Sequence, residues 1–296
     1  MGERSVPKVE VSHAALAAMT STAEAIRIAA ERLATTSDTA RIDAEVLMAH
    51  ALGVSRSELL LRHMRAPAPE AFAGLVERRS CHEPVAYITG SQEFYALPFR
   101  VTPDVLIPRG DSEVLVETAL AERPQARRVL DCGTGSGALL LTVLAHLPEA
   151  SGLGIDRSAA ALDVARGNAE ALGMAGRATL LQADWTVSGW SAALGRFDLI
   201  LANPPYVEED AALDASVRRY EPAGALFAGA DGLDDYRVLV PQLRGLLDRS
   251  ALALVEIGHR QAEAVTAIGA AAGLCARLHH DLAGRPRIIA FFLAEG

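Results

Sequence analysis

Over the first eighty residues, apolar positions recur every third or fourth residue between short polar breaks, the spacing of one helical face. STAEAIRIAAERLA opens with Ser21 three residues before Glu24, a capping-box pattern, and sets Ile26, Ala29, Ala30 and Leu33 in one stripe. DTARIDAEVLMAHAL repeats the rhythm with Ile42, Val46 and Leu47. Ser57 is placed to cap ELLLRHM, and Pro69 to open EAFAGLVERRS as its first helical residue. These stretches predict a small helical domain over residues 1–82.

The texture changes at Glu83. In EPVAYITGSQEFYALPFRVTPDVLIP, β-branched and aromatic residues lie between Gly90, Pro98, Pro103 and Pro108, which predicts a β-hairpin linker over residues 83–108. From residue 109 to 296, apolar runs such as RRVLDCG, SGLGID and FDLILANPPY alternate with helical stretches. Strands that are apolar throughout, each followed by a helix, predict a mostly parallel α/β sheet covered on both faces. The ending, LCARLHHDLAGRPRIIAFFL, has no helix between its two strand-like runs, so an antiparallel hairpin around Gly284 closes the sheet.

Composition narrows the class. Of 296 residues, half are hydrophobic and 22% are charged, enough apolar material for a full core. The net charge is -9, and residues 1–100 hold 11 basic against 12 acidic side chains, leaving 17 against 25 for the rest. The acidity belongs to the second domain and argues against stable nucleic-acid binding through phosphates. Cys81, Cys132 and Cys275 form no CxxC pair, and the eight histidines show no ligand spacing, so neither a disulfide framework nor a metal site is expected. The first residues lack a signal-peptide pattern and no apolar run approaches the ~18 residues of a membrane span. A cytoplasmic monomer is expected.

The first chemistry-bearing stretch is VLDCGTGSGALLLTVL, which places Asp131, Gly133, Thr134, Gly135, Ser136 and Gly137 between a strand and a helix. Glycines there permit positive φ and close approach of a ligand to the backbone, and the helix N-terminus offers free N–H groups. The spacing is GxGxG, not the GxGxxG of dinucleotide folds. Asp156 ends the next strand 23 residues beyond Gly133, where a carboxylate reaches ribose hydroxyls; it also precedes a helix start that it could cap, but the glycine loop beside it favours ribose. Asp184 and Trp185 end a third strand, with Trp185 either core or a stacking wall for an adenine. This succession resembles the cofactor motifs of class I methyltransferases, which use S-adenosylmethionine and release S-adenosylhomocysteine. The resemblance implies a Rossmann-like sheet of seven strands and makes these residues the candidate cofactor contacts.

The second stretch, NPPY, follows the next strand, where the crevice of a doubly wound sheet opens. The lone pair of a planar NH2 group conjugated to a carbonyl or aromatic ring is delocalised, so its methylation depends on alignment. The side-chain oxygen of Asn203 accepts one N–H and the carbonyl of Pro204 the other, while Pro204 and Pro205 fix the backbone and Tyr206 stacks on the planar group. Asn203 thereby borders both cofactor and substrate. A glutamine amide and the exocyclic amine of adenine satisfy this geometry equally.

The remaining motifs separate the two. EPVAYITGSQEFYALPFRV, LIPRGDSEVLVE, RRYEPAGALFAGADGL, VEIGHRQAEAV and DLAGRPRIIA, in that order over nearly the whole chain, resemble the PrmC/HemK family. That resemblance implies methyl transfer to the glutamine side-chain amide in the Gly-Gly-Gln loop of class-1 peptide chain release factors, modulating translation termination. It also implies that the helical domain and hairpin help grip that protein. Arg109 becomes a candidate substrate contact, although this chain reads IPRGDSE where the family usually has IPRPDTE. Gly110 should loosen that loop, and GDSEVLVE is either a helix cap or a site contact. Glu256, closing the apolar run of a fifth strand, has no assigned role. The rival enzyme is an adenine methyltransferase acting on DNA or RNA.

Overall fold

The computed structural model describes residues 20–294, so the stretch read for an export signal, residues 1–19, lies outside it. The chain divides into two compact units, Met1–Thr89 and Gly90–Gly296, a boundary seven residues beyond the expected 82.

The first unit packs α1 (Thr22–Leu33), α2 (Ala40–Leu52), a short α3 (Arg56–Glu58) that runs into a π-helical turn (Leu59–His63), α4 (Ala71–Ser80) and α5 (Val85–Thr89). Ser21 caps α1 by accepting the Glu24 N–H, as its motif predicts. Two readings are corrected. Ser55, not Ser57, caps α3 through the Glu58 N–H. On α2, Leu47 is buried as expected, but Ile42 is half exposed, and Ala44 and Met48 join Leu47 in the core. Asp43 and Glu45 are buried on this helix because Arg79 pairs with the first and Arg41 and Arg56 with the second. Paired carboxylates therefore occupy positions that a polar-out rule gives to solvent.

The second unit begins with the hairpin β1 (Ser91–Phe94) and β2 (Leu97–Arg100), so the predicted linker holds a short helix, α5, the hairpin and an irregular stretch after it. A 3-10 turn (Gly110–Ser112) leads into α6 (Glu113–Glu122). There follow β3 (Arg128–Cys132), α7 (Ala138–His146), β4 (Ser151–Asp156), α8 (Ala159–Ala171), β5 (Ala178–Gln182) and β6 (Phe197–Ala202). The chain ends with α9 (Ala215–Tyr220), a 3-10 turn (Ala223–Ala225), α10 (Asp234–Leu246), β7 (Leu247–Glu256), α11 (Ala262–Ala271), β8 (Cys275–His280) and β9 (Pro286–Phe292).

These strands form one seven-stranded sheet in the order β5-β4-β3-β6-β7-β9-β8. The first five are parallel, and β9 runs antiparallel to both β7 and β8, the expected closing hairpin. Period-two alternation sorts the strand side chains between two cores: Leu199 and Leu201 pack with Leu115 and Leu140 on one face, Ile200 and Ala202 with Tyr236 and Leu239 on the other. Burying each such leucine or isoleucine contributes about 1.5–3 kcal/mol. Because both faces are covered, chemistry is confined to the strand ends. The chain leaves β3 toward β4 on one side and β6 lies on the other, so the crevice opens at their carboxyl ends. Cys132 pairs with Ala202 in register, which starts the glycine loop and the Asn203 elbow side by side.

Candidate active site

Gly133, Gly135 and Gly137 all have positive φ, of 76°, 53° and 82°. That conformation strains any residue with a β-carbon. The three glycines serve different ends. At Gly135 a β-carbon would meet nothing within 4 Å, so the backbone there is open to a ligand. At Gly133 it would stand 3.1 Å from the Trp185 ring, and at Gly137 3.0 Å from Leu141. Gly137 is thus a packing glycine at the start of α7, and it stands back from the cleft.

The cleft is lined by Gly133, Thr134, Gly135, Ser136, Asp156, Asp184, Trp185, Asn203, Pro205 and Arg109, all predicted site residues. Asp131, Gly137, Pro204 and Tyr206 are not among the lining residues, Pro204 and Tyr206 adjoining Asn203 and Pro205 on the elbow. Phe94 of β1, Val105, Leu106 and Pro108 of the segment after β2, and Leu139 of α7 supply apolar wall that the motifs did not indicate.

Asp156 is not the cap of α8; Ser158 is, through the Ala161 N–H. Asp156 instead ties the loop to its strand, accepting the Gly135 N–H at 3.0 Å and the Ser158 N–H at 2.9 Å, one on each oxygen. Each oxygen retains a lone pair. Trp185 is fixed by donating its indole N–H to Asp235 at 3.0 Å, while its carbonyl accepts from Gln242. Asp184 is held below the usual carboxylate range chiefly by the Thr186 hydroxyl and N–H, so it is an anion at the cleft mouth.

Asp131 is fully buried and accepts from the Thr134 hydroxyl at 2.7 Å. Burial pushes its carboxyl up to about 7, with the neighbouring Asp156 charge adding to the shift and the Thr134 and Leu140 hydrogen bonds opposing it. Its other oxygen has no partner. Asp131 shapes the loop from beneath. Cys132 is buried beside it, its thiol pushed far up by burial, and packs as a small apolar residue. Asn168, which no motif indicated, stitches the loop to the hairpin: its amide donates to the carbonyls of Ser136 and Arg100 and accepts the Arg100 N–H.

At the elbow, Pro204 and Pro205 are buried while Asn203 and Tyr206 are half-buried. Asn203 Nδ2 donates to the Ser112 hydroxyl at 3.3 Å. Ser112 stands at the N-cap position of α6 without a side-chain cap bond, and its hydroxyl accepts from Asn203 instead. Among the described residues nothing donates to Asn203 Oδ1 or to the Pro204 carbonyl. Beyond the elbow the chain is anchored by Val207 N–H to Leu226 O and by Gln261, whose amide donates to the Tyr206 carbonyl. Burial raises the Tyr206 phenol to about 12, so it stays neutral.

Arg109 pairs with Glu221, a carboxylate 1% exposed that also accepts the Ile107 N–H. The segment before α6 is thus clamped across the cleft by a residue of the RRYEPAG motif. Gly110 lies outside the left-handed region and a β-carbon on it would meet nothing within 4 Å, so no steric constraint demands glycine there.

The glycine backbone, the carboxylate at the end of β4 and the indole wall fit a nucleoside-bearing group, and the elbow beside them fits a planar NH2. Among the described residues no cluster of His, Cys, Asp or Glu could hold a metal ion, and no helix is long and apolar enough to cross a membrane. Solved methyltransferases share the fold: a methyltransferase from Pyrococcus furiosus matches with TM-score 0.50 at 15% identity over 67% of this chain and 90% of that one. The catalytic domain of hMettl16, solved with the MAT2A 3'UTR hairpin 6, matches with TM-score 0.55 at 13% identity over 74% of this chain and 83% of that one. The fold is that of class I methyltransferases.

Family models are specific about which. Residues 24–90 match the PrmC N-terminal domain and residues 110–227 the methyltransferase small domain. The chain is 42% identical over 256 residues to the release factor glutamine methyltransferase of Rhodospirillum rubrum, covering 84% of this chain and 78% of that protein. It is 43% identical over 275 residues to that of Cereibacter sphaeroides, covering 90% and 96%. The chain belongs to the release factor glutamine methyltransferase family.

Proposed function

We propose that this chain, acting as a cytoplasmic monomer without stable nucleic-acid binding, methylates the side-chain amide nitrogen of the glutamine in the Gly-Gly-Gln loop of class-1 release factors. The observation that carries the site reading is the pair of unused acceptors, Asn203 Oδ1 and the Pro204 carbonyl, on a proline-fixed elbow beside the glycine loop.

The residues assigned to the cofactor are Gly133, Thr134, Gly135 and Ser136 through the loop, Asp156 through its free lone pairs, and Asp184 and Trp185 along the base wall, with Asp131 and Gly137 shaping the loop from behind. S-adenosylmethionine, when bound, supplies an electrophilic methyl carbon on a sulfonium. The chain's own contribution is alignment. Asn203 Oδ1 and the Pro204 carbonyl take the two amide N–H groups, which turns the nitrogen lone pair toward the cleft, and neutral Tyr206 packs on the planar amide. Pro204 and Pro205 hold these acceptors converged at no ordering cost per turnover. As the N–C bond forms, the nitrogen becomes acidic and its proton leaves to water, so a strong buried base is not required.

The helical unit is assigned to release-factor recognition, and Arg109, paired to Glu221, to holding the rim that the substrate loop enters. The reading is tested by incubating the protein with methyl-labelled S-adenosylmethionine and either a release factor or an adenine-containing oligonucleotide. Label on the release factor, lost when the loop glutamine is changed to alanine, is expected; label on the oligonucleotide alone would establish the adenine reaction instead.

A further inference from the structure

Glu256 closes β7 directly beside the elbow, since Val255 and Ala202 are in register and Glu256 and Asn203 follow them. It is 1% exposed and one carboxyl oxygen has no hydrogen-bond partner. A buried carboxyl left in this state is costly unless its position serves the site. Arg287, the cation whose charge acts on it, places Nη2 on Asp111 at 2.8 Å and on Asp281 at 3.5 Å, and its buried Nε, like the free oxygen of Glu256, has no hydrogen-bond partner. Ser112 and Asn203, themselves joined by a hydrogen bond, are the side chains whose hydrogen bonding favours the ionised form of Glu256. Glu256 does not line the cleft.

An asparagine amide presents nearly the same shape with its oxygen and nitrogen exchanged, so only its neighbours decide which end faces the substrate. For a substrate NH2, the oxygen must face outward. A carboxylate is acceptor-only when ionised, so placed behind Asn203 it attracts Nδ2 and repels Oδ1. Ser112, whose hydroxyl accepts from Nδ2, is free to donate its own proton to the same carboxyl.

We propose that Glu256 is the positioning residue that sets the orientation of the Asn203 amide, directly and through Ser112, so that Oδ1 faces the substrate. The inference rests on the substrate reading of Asn203 given above. It has a consequence in pH. The groups facing Glu256 are Asp111 and Ser112 of the 3-10 turn, Asn203 and Tyr206 of the elbow, Arg287 of β9 and Tyr236 of α10. Burial, with the Asp111 charge adding, outweighs Arg287 and the Ser112 and Asn203 hydrogen bonds and brings the carboxyl to about 7. Below that pH the protonated acid donates, and the reverse orientation of Asn203 is no longer disfavoured.

The test uses the full chain with S-adenosylmethionine and an intact release factor. Glu256→Gln keeps shape and removes the charge, and its amide accepts or donates, so orientation is no longer selected. Expected are a fall in kcat of about 10- to 100-fold, an unchanged KM for S-adenosylmethionine, and loss of a limb rising through pH about 7 that wild type shows. The Asn203 side-chain amide signals in an NMR titration of wild type should move with the same midpoint, a readout that needs no variant to fold. Ser112→Ala, removing only the indirect route, should lower kcat less than Glu256→Gln. Wild-type turnover in Glu256→Gln, a pH limb surviving there and so belonging to another group such as Asp131, or Asn203 signals that do not titrate would each overturn the proposal. If Asn203→Ala itself turns over normally, the substrate reading fails first; if only Glu256→Gln does, the failure is confined to Glu256.

Discussion

Gly133 and Trp185 approach so closely that a β-carbon on the glycine would stand 3.1 Å from the indole ring. The base wall and the phosphate-style loop are therefore one packed unit. Gly133→Ala meets that contact and a φ of 76° together. The conformation alone costs about 1–2 kcal/mol. A lower melting temperature and S-adenosylmethionine binding weakened at least about tenfold are expected, the latter by calorimetric titration, because relief moves either the loop or the wall.

Asp131 gives stability a pH dependence. Its folded value, about 7, lies above its ordinary 3.8, so its contribution is full below the ordinary value and is lost as pH rises through about 7. The melting temperature of wild type should fall between about pH 4 and 7 relative to Asp131→Asn and level off above that, each kcal/mol being about 2–4 °C in a unit of this size. A difference between the two proteins that is constant over that range would contradict the raised value.

Glu221 clamps the segment before α6 through Arg109 and the Ile107 N–H. Glu221→Ala strands a buried N–H and frees Arg109, which is itself 41% exposed on its side chain and so loses little Coulomb energy. The expected cost is about 1–3 kcal/mol by denaturant unfolding, with a raised KM for the release factor.

Gly110 is not demanded by its backbone. Gly110→Ala should stabilise the protein by about 0.4–1 kcal/mol by restricting the unfolded chain, with turnover retained. Destabilisation in a melt would show that the loop uses a conformation only glycine reaches.

What the sequence revealed and what it concealed divide along contact range. The βαβ rhythm, the glycine loop and NPPY are local patterns, and the strand order then placed Gly133 beside Asn203 without further information. The clamp and the support of the elbow were not legible, because Ser112 meets Asn203 across 91 residues and Glu221 meets Ile107 across 114. Glu256 was visible as an acid ending an apolar strand, as Asp156 is, yet its neighbours come from four other segments. Asp131 and Gly137 read as ligand contacts because they share the motif, but neither is among the residues lining the cleft. Ile42 misled for the converse reason: arginine pairing buried Asp43 and Glu45 on the face that hydrophobicity alone assigned to solvent.

The claim that the NPPY elbow aligns a planar amide while the glycine loop holds the cofactor is tested most directly by Asn203→Ala, measured for both functions on one preparation. The account predicts that kcat on an intact release factor falls about 100- to 1000-fold while S-adenosylmethionine affinity by calorimetry stays within a few-fold of wild type. Turnover near the wild-type rate, or cofactor binding lost along with it, would contradict that division of labour.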